Sequence, residues 1–293
     1  MSEWSIANTS AQIDHFSPEK HIVASVSGLL SNPKSVIEEA ILQRFAKITP
    51  QYPGVRAQLS ESALQTLTSR LSPTLSEAFD APEGRWSITA WYSLVTSPPA
   101  ELLPIQRLPH VDGTDPKQIA MMLYLHKTDH GGTAFFRHKS TGLEALTDQD
   151  FPLYRDALQR EVAETGMPLA RYVTDGAPLY ELTHSVPGNF NEAVFYRGNI
   201  LHSGVIDNDV PLSADPRKGR LTVNAFLRPP ERLSKAYASL LSLAAAQPDG
   251  SLQQLFRACS ETASRSSSLN PIRLALSASA RRQYLRSSVS TRS

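Results

Sequence analysis

The stretch Arg107-Leu108-Pro109-His110-Val111-Asp112-Gly113 sets an imidazole and a carboxylate one residue apart, inside a run from 105 to 112 that reads as a strand. Alternate residues of a strand project from the same face, so His110 and Asp112 stand side by side. Two imidazoles and one carboxylate on one face leave three positions of an octahedral Fe(II) open for substrate and O2, and this pair is two thirds of such a set. A His-x-Asp triplet alone is more readily a surface feature. The sequence downstream raises it above that: the apolar run from Ala193 to Leu201 delivers His202, and after a polar loop an alternating run from Gly219 to Leu227 opens with Arg220 and Thr222. These two share a face, where a guanidinium holds the far carboxylate of a 2-oxo acid in bidentate fashion, better than an ammonium, and the hydroxyl assists. Arg217 and Lys218 are rival cations, but only Arg220 begins a strand in phase with Thr222.

Composition bounds what this set belongs to. With 293 residues, 41% hydrophobic and 19% charged, the chain can bury a full core as one large or two modest domains. Lys+Arg of 29 against Asp+Glu of 28 gives a net charge of +1, which supplies no global field to recruit nucleic acid or an anionic membrane. The single cysteine, Cys259, excludes a disulfide framework within the chain and a cysteine-based zinc site, and suits a reducing cytoplasm. No apolar run approaches the roughly 18 residues of a membrane span, and the start, Met1-Ser2-Glu3-Trp4, lacks the regions of a signal peptide. The expectation is a cytoplasmic protein with a small-molecule substrate and no nucleic-acid or membrane partner. Oligomeric state is not legible.

In chain order, residues 1–84 read as short strands, one at 20–26, followed by two bracing helices. Asn32 and Pro33 open the first, in which Val36, Ile37, Ala40, Ile41 and Phe45 recur at helical spacing; Ser60 caps the second, which carries Leu64, Leu67, Leu71, Leu75 and Phe79. Near residue 85 the period changes to two. Strands are expected at 105–112, 118–126, 132–138, 179–185, 191–199 and 219–227, between Gly, Pro, Asp and Asn clusters. A helix at 148–165, with Phe151, Tyr154, Leu158 and Val162 on one side, interrupts them, as an insertion that commonly shapes a pocket. The resulting division is 1–84, a β core of barrel or sandwich type at 85–230, and 231–293, which holds helices at 235–246 and 252–263 and ends in a Ser/Arg-rich tail. His126, His130 and His138, among Lys127, Asp129 and Lys139, read as a solvated hairpin and not as a zinc site. Trp91 and Tyr92 read as core, and Cys259 as inert packing.

The order His-x-Asp, then Tyr124-Leu125 with a Gly131-Gly132-Thr133-x-Phe135 strand, then a lone His, then Arg-x-Thr resembles the 2-oxoglutarate and Fe(II)-dependent dioxygenase superfamily, especially its prolyl-hydroxylase-like branch. Pro53-Gly54-Val55-Arg56 with the 107–113 stretch also resembles a bacterial family of unknown function assigned to that superfamily (DUF6445-like). The resemblance covers about residues 85–228. It implies a mainly β α+β fold, a double-stranded β-helix of jelly-roll or cupin type braced by N- and C-terminal helices. It implies iron on His110, Asp112 and His202, and 2-oxoglutarate on Arg220 with Thr222 and Tyr124. The implied activity is O2-dependent hydroxylation of an unactivated C–H bond of a free amino acid or other small metabolite, with succinate and CO2 as co-products and ascorbate in support. A carboxylate ligand leaves no place for chloride, which favours hydroxylation over halogenation; desaturation and cyclisation stay open. The 18 residues from His202 to Arg220 exceed the usual spacing. Two other classes also fit the residues: a catalytically silent binding or sensor module, and a cupin-type metalloenzyme that does not use 2-oxoglutarate.

Overall fold

The strand Leu221–Arg228 carries the rule that organises the molecule. Its odd-numbered residues Leu221, Val223, Ala225 and Leu227 are buried in one apolar cluster, while Thr222, Asn224 and Phe226 face the other way. A strand with two different faces separates two environments. On the odd side lie helices; on the even side lies a cavity. The computed structural model describes residues 4–8, 10–126, 131–175 and 178–231, and Met1–Glu231 forms one unit.

In order the elements are β1 (Gln12–Phe16), β2 (His21–Ser27), α1 (Pro33–Ile41), β3 (Gly54–Gln58), α2 (Glu61–Ala78), β4 (Ser87–Val95), β5 (Ile119–Tyr124), β6 (Thr133–His138), α3 (Phe151–Thr165), β7 (Tyr180–Val186), β8 (Glu192–Arg197), β9 (His202–Gly204) and β10 (Leu221–Arg228). The strands form two antiparallel sheets, a seven-stranded one in the order β1-β2-β8-β5-β10-β4-β3 and a three-stranded one in the order β7-β6-β9. From β4 onward the chain passes repeatedly from one sheet to the other, so the two become opposite walls. The expected strands after residue 118 are present, as are both N-terminal helices. Asn32 accepts from the Ser35 amide and Ser60 from the Ala63 amide at the helix starts. Leu67, Leu71, Leu75 and Phe79 of the second helix region pack into the cluster on the odd face of the large sheet.

Four expectations need correction. Residues 105–112 are not a strand: Pro104–Arg107 is a 3-10 turn, and only a bridge between His110 and His202 joins the segment to the small sheet. Pro104 and Pro109 lack the amide donors that a continuous ladder needs. Residues 1–84 do not stand beside the β core, because β2 pairs with β8 and β3 with β4, which makes them part of the large sheet. The helix α3 does not shape the cavity. It packs on the outer side of the small sheet through Tyr154, whose hydroxyl meets that of Tyr180 at 2.7 Å, and Phe151 is exposed. His138 and His126 are buried, not solvated; His138 is held between Thr141 and Glu161, both at 2.9 Å. His130, Cys259 and the expected C-terminal helices and tail lie outside the described residues.

Candidate functional site

A cavity of about 480 Å3 opens between the sheets, walled by His110, Asp112 and His202 on one side and reached by Arg220 from the first position before β10. The backbone of the 110–112 segment is tied at both ends. The His110 amide donates to the His202 carbonyl at 2.9 Å, the His202 amide returns a bond of 2.9 Å, and the Asp112 amide donates to the Gly198 carbonyl at 2.7 Å. Two bonds to the strand end and one to a tight turn fix both side chains without a strand. The Asp112 carboxylate lies 3.5 Å from His202 Nε2 and 3.9 Å from His110 Nε2, and the three ligating atoms fall within 4.8 Å of one another.

The protonation of the set follows from its surroundings. His202 Nδ1 lies 2.9 Å from the Ile200 carbonyl, an acceptor only, so this nitrogen carries the proton and Nε2 presents its lone pair to Asp112 and His110. Burial pushes the His202 pKa down to about 4, which keeps the ring neutral at pH 7. His110 is shifted the same way, by burial and then by the His202 ring, although half of its side chain is open and solvent screens part of that effect. Burial raises Asp112 to about 6 against the opposing pull of His110 and Arg56. Two neutral imidazoles and a carboxylate short of positive charge are a donor set that could hold a divalent cation.

Arg220 is buried, with Nη2 donating to the Gly132 carbonyl at 3.0 Å and its guanidinium 5.7 Å from the Tyr124 ring centre. A methyl group on Gly132 would come within 1.9 Å of the Val186 carbonyl oxygen, so only glycine brings this backbone so close. The hydroxyls of the other two expected residues are engaged elsewhere. Thr222 meets Asn224 Oδ1 at 2.7 Å, and Tyr124 meets Thr133 Oγ1 at 2.8 Å; Asn224 and Thr133 are the members of these pairs that line the cavity.

Sequence reasoning assigned no role to several cavity residues. Arg56 stacks over the Tyr52 ring at 4.0 Å and lies 5.3 Å from the Trp91 ring centre, and Tyr196 meets His202 edge-on at 4.8 Å. Trp91 faces the cavity whereas its neighbour Tyr92 is core, as the parity of β4 requires. Arg56 ends the Pro53-Gly54-Val55-Arg56 motif, but a five-residue edge strand carries too short a pattern to tell its faces apart. A second cluster, Glu19, His21 and Glu144, also brings ligand-type atoms within 4.8 Å. There Arg137 pairs with Glu144 and already neutralises the buried carboxylate.

Residues 7–227 match a family of unknown function, DUF6445. The chain belongs to this family. No curated protein matches it by sequence. Among solved structures, this DUF6445 protein is similar to the epimerase SnoN in complex with Fe3+, alpha ketoglutarate and nogalamycin RO, at 14% identity and a TM-score of 0.43, over 71% of this chain and 78% of that one. It is also similar to a Pseudomonas putida prolyl-4-hydroxylase, at 11% identity and a TM-score of 0.40, over 73% and 95%. A third is HygX from Streptomyces hygroscopicus with nickel and 2-oxoglutarate bound, at 12% identity and a TM-score of 0.41, over 71% and 82%.

Proposed function

We propose that this DUF6445 protein is an Fe(II)- and 2-oxoglutarate-dependent dioxygenase that hydroxylates an unactivated C–H bond of a small molecule. The observation that carries the reading is the convergence of His110, Asp112 and His202 on one cavity wall with the buried guanidinium of Arg220 in the same cavity. On this reading the two sheets are the walls of a double-stranded β-helix. When bound, Fe(II) with 2-oxoglutarate and O2 supplies the oxidising power, and succinate and CO2 are released.

The chain's own residues do the rest. His110, Asp112 and His202 hold the metal from one side, and the Ile200 carbonyl keeps His202 in the tautomer that can ligate. Arg220 holds the far carboxylate of 2-oxoglutarate, its orientation set by the Gly132 carbonyl. Thr222 and Tyr124 act at one remove, by orienting Asn224 and Thr133. Met122, Trp91, Phe226 and Tyr196 keep the cavity wall largely apolar, which excludes water from the reacting carbon.

The test is succinate formation from 2-oxoglutarate by the full-length protein with Fe(II) and ascorbate, with and without a panel of amino acids and carboxylic acids. Succinate above the protein-free background that disappears with a chelator is expected. Binding of metal and 2-oxoglutarate without any succinate would mark a silent binding module instead. Metal-dependent turnover that ignores 2-oxoglutarate would mark a metalloenzyme of another kind.

A further inference from the structure

We infer that the substrate is a small carboxylic acid with an apolar body, and that Arg56 is the residue that holds its carboxylate; this rests on the function proposed above. Three observations lead there. The guanidinium carbon of Arg56 lies over the Tyr52 ring, 4.0 Å from its centre, and 5.3 Å from the centre of the Trp91 ring, so its fork is held between two rings before any ligand arrives. Its Nε is buried without a hydrogen-bond partner. Among the described residues no carboxylate forms an ion pair with Arg56. A buried donor on a half-buried cation left in this state is unfavourable unless something outside the chain supplies the acceptor.

The charge of the cavity states which acceptor. Asp112, Arg56 and Arg220 are the Asp, Glu, Lys and Arg residues that line it among the described residues, and imidazoles that ligate a metal are neutral. One negative and two positive charges remain, and a divalent metal with a dianionic 2-oxo acid changes nothing in that sum. The surplus is one positive charge, which a monoanion cancels. Arg56 lines the same cavity as His110 and Asp112, so an anion held there shares that cavity with the ligand wall. The carbon to be oxidised is therefore a few bonds from the carboxylate. Around it Trp91 and Phe226 meet edge to face at 5.9 Å, and Met122 and Ile105 complete an apolar surface for the substrate's body.

The test is calorimetric titration of full-length protein, loaded with Mn(II) and 2-oxoglutarate under argon, with hexanoate, 3-phenylpropionate and N-acetyl-leucine and with the primary amide of each. At least one acid is expected to bind roughly tenfold or more tightly than its amide, and Arg56→Gln should weaken that acid by roughly ten- to a hundred-fold. Binding of 2-oxoglutarate to the metal-loaded variant should change by less than about threefold, and Arg56→Lys should keep part of the acid affinity. The inference is overturned if no acid outbinds its amide on the unaltered chain, or if Arg56→Gln weakens 2-oxoglutarate and spares the acid, which would make Arg56 the cosubstrate's anchor. The acid and amide comparison uses the unaltered protein, so a folding defect in the variant does not remove the test. Failure of 2-oxoglutarate to bind the metal-loaded protein at all would instead sink the dioxygenase reading, and is seen in a separate titration.

Discussion

His202 meets three demands in one residue: a proton on Nδ1 for the Ile200 carbonyl, a backbone that pairs with His110 and, on the proposed function, a lone pair on Nε2 for a cation. In His202→Ala the backbone pairing survives while the ligand is lost. Turnover is expected to fall by at least a hundredfold and metal retention with it, with the circular dichroism spectrum unchanged; full activity in this variant would show that the three residues do not form a metal site. Arg220 makes a separable prediction. A charge-assisted contact in a sheltered site is worth about 1.5–3 kcal/mol, so Arg220→Ala should raise the 2-oxoglutarate requirement roughly ten- to a hundred-fold, with lysine rescuing only in part. If Arg217→Ala or Lys218→Ala had that effect and Arg220→Ala did not, the anchor would lie in the loop before β10. That His202 and Arg220 form one set was legible in the sequence because a chemical set is rarer than any of its members, and the structure brings them to one cavity. Which hydroxyl faces the cavity was not, since Thr222 and Thr133 differ only in which neighbour their hydroxyls meet.

At the scale of elements, the cavity depends on an edge strand that sequence periodicity barely marks. β3 is drawn against β4 at Gly54, where a methyl group would sit 2.0 Å from the Leu94 carbonyl oxygen. Gly54→Ala is therefore expected to cost about 1–3 kcal/mol in chemical denaturation and, because Arg56 rides on the same strand, to weaken the acid binding described above. Unchanged stability and binding would mean that β3 can shift without moving the site. The helix α2 is a contrasting case, being fully announced by its cap and apolar stripe. Leu67 is completely buried against the large sheet, so Leu67→Ala should lower unfolding stability by about 2–5 kcal/mol while the metal-dependent binding of 2-oxoglutarate to the folded protein is retained. Helix spacing is a local signal, and 18 residues give it five turns to repeat; a five-residue strand has no such redundancy.

For the whole molecule, binding at a site built from both sheets should stabilise the fold by mass action. At a hundred times its dissociation constant a ligand adds about 2.7 kcal/mol, or about 5–10 °C in thermal midpoint for a domain of this size. Mn(II) with 2-oxoglutarate should give such a shift, and a chelator should abolish the part due to 2-oxoglutarate; a shift indifferent to the chelator would place 2-oxoglutarate away from the metal ligands. The sequence by itself determined the helices, most strands of the β core and the likeness to an oxygenase, through periods, caps and a spaced set of His, Asp and Arg. All of these are written in residues whose meaning is local or whose order along the chain is distinctive. Only the tertiary structure decided that the first strands join the same sheet as the core, that α3 packs outside the cavity, and that Arg56 stands inside it. Those facts depend on which edges pair across more than a hundred residues, as β2 does with β8, and on which face of a short strand turns inward. Partner choice in an antiparallel sheet is settled by the burial it achieves as a whole, and no single segment carries that information.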